Sequence, residues 1–265
     1  MVMLMEMEVF YVKPKLSEKE AAEKVEKSIK GLFGKKGDFL GGHAAYYPFY
    51  EVDADIRSWE PKRKWGVVVS IEYEHVRRTV SIDGVKGYLC NYTFQPFPIA
   101  RIVNLSKLEV EIARGMLEID KSLKAEEITH YVGASVAEVE AALKNLEERG
   151  LLSSSKDKWK ASDVAWTMIA LIPDELSSPS CVKGLELVRG EPPGPKVECK
   201  ISIEEVVRGV EDILYGKVHK CWLTYCPFYI SKIKQKDGSV KVTVVELVKG
   251  DIVGDEAVKA LFEAM

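Results

Sequence analysis

The sequence predicts an α+β protein in which two β-α-β-β-like repeats sit in a pseudo-two-fold arrangement, with a separate domain inserted between them. Three observations carry this expectation. The motif "YYPFY" at Tyr46 returns as "YCPFY" at Tyr225. Each copy follows a stretch with the pattern of a capped amphipathic helix. Between the copies runs a helical segment that neither repeat shares. The boundaries that follow are 1–104 for the first repeat, 105–176 for the insert and 177–265 for the second repeat.

The first repeat opens with a candidate strand, "MLMEMEVFYV", and the second with "KGLELV". Next come "KLSEKEAAEKVEKSIKGLF" from Lys15 and "KISIEEVVRGVEDILYG" from Lys200. In each, a serine (Ser17 or Ser202) can accept from the first-turn N–H groups while a glutamate (Glu20 or Glu205) reaches back to the cap residue. Ala21, Val25, Ile29 and Leu32 make one apolar stripe, and Val206, Val210, Ile213 and Leu214 the other. The aromatic motif then reads as a strand. Its proline lacks a ladder donor, which favours an edge, a bulge or a strand start. Strand alternation places Tyr46 and Tyr50 on one face and Tyr47 and Phe49 on the other, and this leaves three roles open: sheet core, a stacking platform for bases, or a dry anchor for a partner chain. After Tyr229, Asp237-Gly238 between alternating runs predicts a tight hairpin. After Tyr50, Pro61 marks a turn before a β-branched strand from Val67.

The insert shows three helical patterns: Leu108 to Ile119, Ala125 to Tyr131 ending at Gly133, and Val136 to Arg149 ending at Gly150. The segments "LLSSSKDKWKAS" and "VAWTMIAL" then suit a β-wing. An "EEI" helix, a Gly-x-Ser turn, a helix closing on "L-x-x-L-E-x-x-G-L-L" and a wing resemble the winged helix-turn-helix domains of archaeal and bacterial regulators. The resemblance covers only this insert and implies a third helix that enters the major groove and a wing that touches phosphate or the minor groove. Here that helix carries Glu138, Glu140, Glu147 and Glu148 against Lys144 and Arg149, a face that repels phosphate. The wing is the better candidate, with Lys156, Lys158, Trp159 and Lys160 and with Ser153 to Ser155 as phosphate donors.

Composition narrows the function classes. A net charge of −3 gives no global attraction to nucleic acid, so any such binding needs a local patch. Lysine and glutamate are abundant, a bias typical of thermophilic proteins. No apolar run is long enough to span a bilayer, and Glu6 and Glu8 interrupt the start, so no membrane contact and a cytoplasmic location are expected. The five cysteines, Cys90, Cys181, Cys199, Cys221 and Cys226, contain no C-x-x-C pair and read as reduced thiols. His219, Cys221 and Cys226 have no recognised zinc spacing, and Glu72, Glu74, Asp53 and Asp55 read as solvated strand faces; neither a metal, a cofactor nor a catalytic residue is assigned. Basic turns are more suggestive: "RSWEPKRKW" sets Lys62, Arg63 and Lys64 between Trp59 and Trp65, and the second repeat has Lys232, Lys234, Lys236 and Lys241 around its hairpin. With the wing these make a phosphate-tracking surface. The expected function is therefore a non-enzymatic nucleic-acid-binding accessory or regulatory protein. The alternative is a protein-interaction adaptor that docks to a partner such as a nucleic-acid-processing ATPase. The sequence leaves the oligomeric state open.

Overall fold

The computed structural model describes residues 7–29, 37–64, 67–92, 96–118, 121–162 and 185–253, with the backbone alone for 58–64, 67–74, 91–92 and 96–99. Trp65, the "VAWTMIAL" segment and the first residues of both leading strands lie outside the described residues.

In chain order the elements are β1 (Val9–Val12), α1 (Glu18–Ile29), β2 (Gly37–Lys64), β3 (Val67–Asp83), β4 (Tyr88–Tyr92), β5 (Pro96–Arg101), α2 (Lys107–Glu118), α3 (Ala125–Val132), α4 (Val136–Glu148), β6 (Leu152–Ser155), β7 (Lys158–Ala161), β8 (Leu187–Arg189), α5 (Ile203–Ile213), β9 (Lys217–Gln235) and β10 (Val240–Glu246). An eight-stranded sheet runs β5-β4-β3-β2-β9-β1-β8, with β10 also on β9; β6 and β7 pair separately. The molecule is thus a mixed α/β chain with one large sheet, consistent with α+β.

The two aromatic motifs pair with each other at the centre of this sheet. β2 and β9 are antiparallel, with Tyr46 opposite Pro227, Tyr47 opposite Cys226 and Pro48 opposite Tyr225. Tyr47 and Cys226 hold the same place in their motifs, so the register is centred on that rung. The outer neighbours correspond as well. Tyr46 bridges Lys196 and β3 ends opposite Phe49, while Tyr225 lies against Tyr11 of β1 and β10 ends opposite Phe228.

Each proline sits where one outer neighbour gives way to the next, in the two longest strands, β2 and β9, at the centre of the sheet rather than at the edge, bulge or strand start expected of it. Tyr46 donates outward to Pro195, so Pro48, two residues on, turns its donorless nitrogen into that gap, where no acceptor is left waiting. The carbonyls of Pro48 and Pro227 accept from Gly84 (3.0 Å) and Leu247 (3.1 Å).

The turns closing β3 and β10 match. Asp83 accepts the N–H groups of Val85 and Lys86, at 2.9 and 3.0 Å, and Glu246 those of Val248 and Lys249, at 2.6 and 2.7 Å. Gly87 and Gly250 end the two turns with φ of 75° and 82°, a region that costs any other residue a Cβ clash.

Both expected capping boxes form, Ser17 with Glu20 and Ser202 with Glu205. Helix α1 packs Ala21, Val25 and Ile29 against Tyr229, Ile233 and Val245, and α5 packs Val206, Val210 and Ile213 in the cluster that holds Tyr46, Tyr50 and Val52. The motif aromatics are core on both faces: Tyr47, Phe49 and Phe228 are fully buried and Tyr46, Tyr50, Tyr225 and Tyr229 nearly so. They therefore offer no stacking platform. Helices α2 to α4 and the β6–β7 hairpin extend this core, since Met116, Ile128, Leu143 and Leu146 belong to the same cluster as the sheet residues. Among the described residues no helix is long and apolar enough to cross a membrane.

Candidate nucleic-acid interface

The β6–β7 hairpin turns tightly at Lys156-Asp157, both with positive φ. Its rungs pair Ser153 with Lys160, Ser154 with Trp159 and Ser155 with Lys158. Alternation then puts Ser153, Ser155, Lys158 and Lys160 on the outer face, where both lysines are exposed. The inner face holds Trp159, half-buried against the core, with its backbone bridged to Leu123. Trp159 is thus a wedge under the hairpin rather than an exposed ring, and its buried indole N–H has no hydrogen-bond partner. Ser154 is spent too: its N–H and hydroxyl both donate to Glu147 Oε1, at 3.0 and 2.6 Å. Lys156 stands exposed at the tip, and Lys124 pairs with Asp157 at 2.7 Å.

Helix α4 is less exposed in its charges than its sequence suggests. Glu147 holds Ser154, Glu138 closes a capping box on Ser135, and Arg149 turns into the body to donate to the carbonyls of Val103 (2.7 Å) and Asn104 (3.0 Å). Glu140, Lys144 and Glu148 are exposed. At the α3–α4 corner Tyr131 is 71% exposed and Val136 40%; helical spacing reads Val136 into the buried stripe of Val139, Leu143 and Leu146, but at the first position of α4 it faces out.

Lys62, Arg63 and Lys64 lie at the end of β2. The last β2–β9 rung joins Asp55 to Lys217, and beyond it β2 pairs with β3 alone, to the rung of Lys64 with Val67. At about 3.3 Å per residue this two-stranded arm reaches roughly 30 Å past the sheet. Its base meets the insert: Arg57 Nη1 lies 3.1 Å from Glu118 Oε1, and Tyr215 donates to the same oxygen at 3.1 Å. Arg57 and Arg114 stack on the Tyr215 ring at 4.9 and 4.6 Å. Leu123, bridged to the β7 strand, follows Glu118 by five residues, so the wing-like hairpin is rooted within about 18 Å of chain from the arm.

Lys234 and Lys236 are exposed at the opposite end of the sheet, where Lys234 stands on the rung shared by Asp38 of β2 and Val240 of β10. The structure therefore brings the β6–β7 lysines and the arm to one end and sends Lys234 and Lys236 to the other.

Between the ends, opposite charges meet in the molecule itself. Arg77 forks onto Asp53, with Nη2 to Oδ2 at 2.6 Å, and holds its carboxyl below the usual range. A break in register leaves His219 without a strand partner between Lys220 and Val218, and the bulge aims its imidazole at Asp55, 2.6 Å away. Lys220 and Arg189 both pair with Glu8. Asp53 is thus ion-paired and Asp55 hydrogen-bonded rather than merely solvated, contacts invisible in sequence because the partners lie on other strands. Cys221 and Cys226 fall into different hydrophobic clusters, and burial pushes the Cys221 thiol up to about 12. Comparison with protein-family models, with curated proteins and with solved structures gave no match.

Proposed function

We propose that the chain is a cytoplasmic, non-enzymatic nucleic-acid-binding accessory or regulatory protein, built from a duplicated β-α-β-β unit with a winged-helix insert. Support for the duplication comes from the β2–β9 register centred on Tyr47 and Cys226 and from the matching turns at Asp83 and Glu246. The observation that carries the functional reading is the shared end: Lys158 and Lys160 on the outer face of the wing, Lys156 at its tip, and an arm rooted nearby that bears Lys62, Arg63 and Lys64. Contact runs through phosphates rather than base edges, because the exposed side of α4 presents Glu140 and Glu148.

The test is duplex binding across a salt series. Each phosphate neutralised contributes a log–log slope of about −0.9, so K62A/R63A/K64A is expected to flatten the slope by up to about 3 and to weaken binding regardless of sequence. K156A/K158A/K160A is expected to act in the same direction. Absence of salt-dependent binding to any nucleic acid near physiological ionic strength transfers the assignment to the second reading. That reading is a protein-interaction adaptor for a partner such as a nucleic-acid-processing ATPase, favoured by the exposed Tyr131 and Val136 beside the exposed carboxylates of Glu126 and Glu140.

A further inference from the structure

The two basic hairpins leave the sheet in opposite directions. The rung of Lys62 with Ser70 and the rung of Lys234 with Asp38 stand on the same strand, β2, at its two ends. Two dozen residues of strand at about 3.3 Å each separate them by up to roughly 80 Å, several times the width of a duplex groove. Between them Arg77 is paired with Asp53 and Lys220 and Arg189 with Glu8, while the His219 imidazole hydrogen-bonds to Asp55. At the far hairpin the turn acid is also occupied, since Asp237 accepts both the N–H (2.9 Å) and the hydroxyl (2.6 Å) of Ser239. Lys232, Lys234 and Lys236 remain exposed there. Two cationic poles with a charge-paired waist do not make one continuous phosphate track.

We infer that a single copy of the protein bridges two phosphodiester duplexes, one held by the arm and the wing-like hairpin, the other by the β9–β10 hairpin. The inference rests on the nucleic-acid reading proposed above and adds to it a second, spatially separate contact. Electrostatics suits such a role: each pole binds weakly and without sequence preference, and a second duplex joins only when the first leaves the far pole empty. Joining two segments then gains from the high effective concentration that tethering creates.

The experiment uses the full chain and two duplexes of about twenty base pairs, one immobilised and one fluorescent and free, at limiting protein and low salt, run separately with DNA and with RNA. Wild type is expected to capture the free duplex on the immobilised one, with the arm that captures identifying the polymer. K232Q/K234Q/K236Q is expected to keep binding to a single duplex within about threefold while losing capture at least tenfold. The combined variant K62Q/R63Q/K64Q/K156Q/K158Q is expected to lose capture at least tenfold as well and, because it removes the pole that carries the contact proposed above, to weaken single-duplex binding and flatten its salt slope. Far-UV circular dichroism and a melting curve on each variant ensure that a fold change is not read as lost contact; should a triple variant melt early, the single changes K234Q and K236Q are scored in its place. Single-duplex binding without capture overturns bridging and leaves nucleic-acid binding standing. Capture that survives loss of Lys232, Lys234 and Lys236 also overturns it, since the second contact then lies elsewhere. Failure to bind either duplex removes the reading beneath it.

Discussion

Tyr47 is fully buried and donates its hydroxyl across 2.7 Å to Asp83, itself without exposed surface. Burial is the largest influence on Asp83 and raises its pKa, against the lowering effect of Tyr47 and of the Val85 and Lys86 N–H groups. Burial raises Glu246 in the same way. A carboxyl whose folded pKa lies above the unfolded value of about 4 is bound to its proton more tightly when folded. Its contribution is therefore fully present below the unfolded pKa and is lost as pH rises through the folded one. Chemical denaturation of wild type and Asp83→Asn over an acid-to-neutral series is expected to show the gap between the two curves shifting in favour of Asp83→Asn as pH rises, because the variant has no proton to lose. Parallel curves would remove Asp83 from the account. Tyr47→Phe is expected to cost about 0.5–1.5 kcal/mol, since it removes one hydrogen bond from a buried carboxyl that keeps its two backbone donors, and to move that pH step upward.

At the scale of elements, what was legible was whatever is local. The boxes at Ser17 and Ser202 span four residues each, and Asp237-Gly238 contains its own turn chemistry, so a reader of the chain finds them without tertiary knowledge. The prolines misled because donor loss was judged against strands with continuous neighbours, whereas here the neighbours change at the proline. Trp159, grouped by sequence with the wing lysines, packs inward against the core, its backbone bridged to Leu123, a residue distant in sequence. Arg149 and Glu147 look like charged surface on a helical wheel for the same reason: Val103, Asn104 and Ser154, their partners, lie outside the helix. The insert has its own apolar stripes, Ile112 and Met116 on α2 against Ile128, Val139, Leu143 and Leu146, and a fragment of residues 106–172 is expected to be helical by circular dichroism. It should melt below the full chain, because excision removes the acceptors of Arg149 and the carbonyls of Glu211 and Asp212 that hold Arg114. A disordered fragment would show that the insert borrows its fold from the sheet.

Across the whole molecule, the core seam is the β2–β9 pairing, which joins residues from the two ends of the sequence. Neither flanking segment buries its aromatics alone: Tyr47 and Phe49 need Phe228 and Cys226, and Tyr229 and Ile233 need α1. Segments 1–104 and 105–265 expressed as separate chains are accordingly expected to be aggregation-prone singly and to copurify when made together, a pairing that size-exclusion chromatography reads directly. The aromatic repeat announced this seam, but its register could be read only in three dimensions.

The rung of Tyr47 and Cys226 has one more consequence. On the proposed duplication, an ancestor made of two identical chains would have set this residue against its own copy, so that any change there arrived on both sides of the axis at once. On that descent, joining the chains would have ended the constraint. The tyrosine now serves Asp83 while a thiol faces it, and Glu246 accepts from backbone N–H groups. In descent, the place nearest the axis is the one where covalent fusion first permits the two halves to become different from each other.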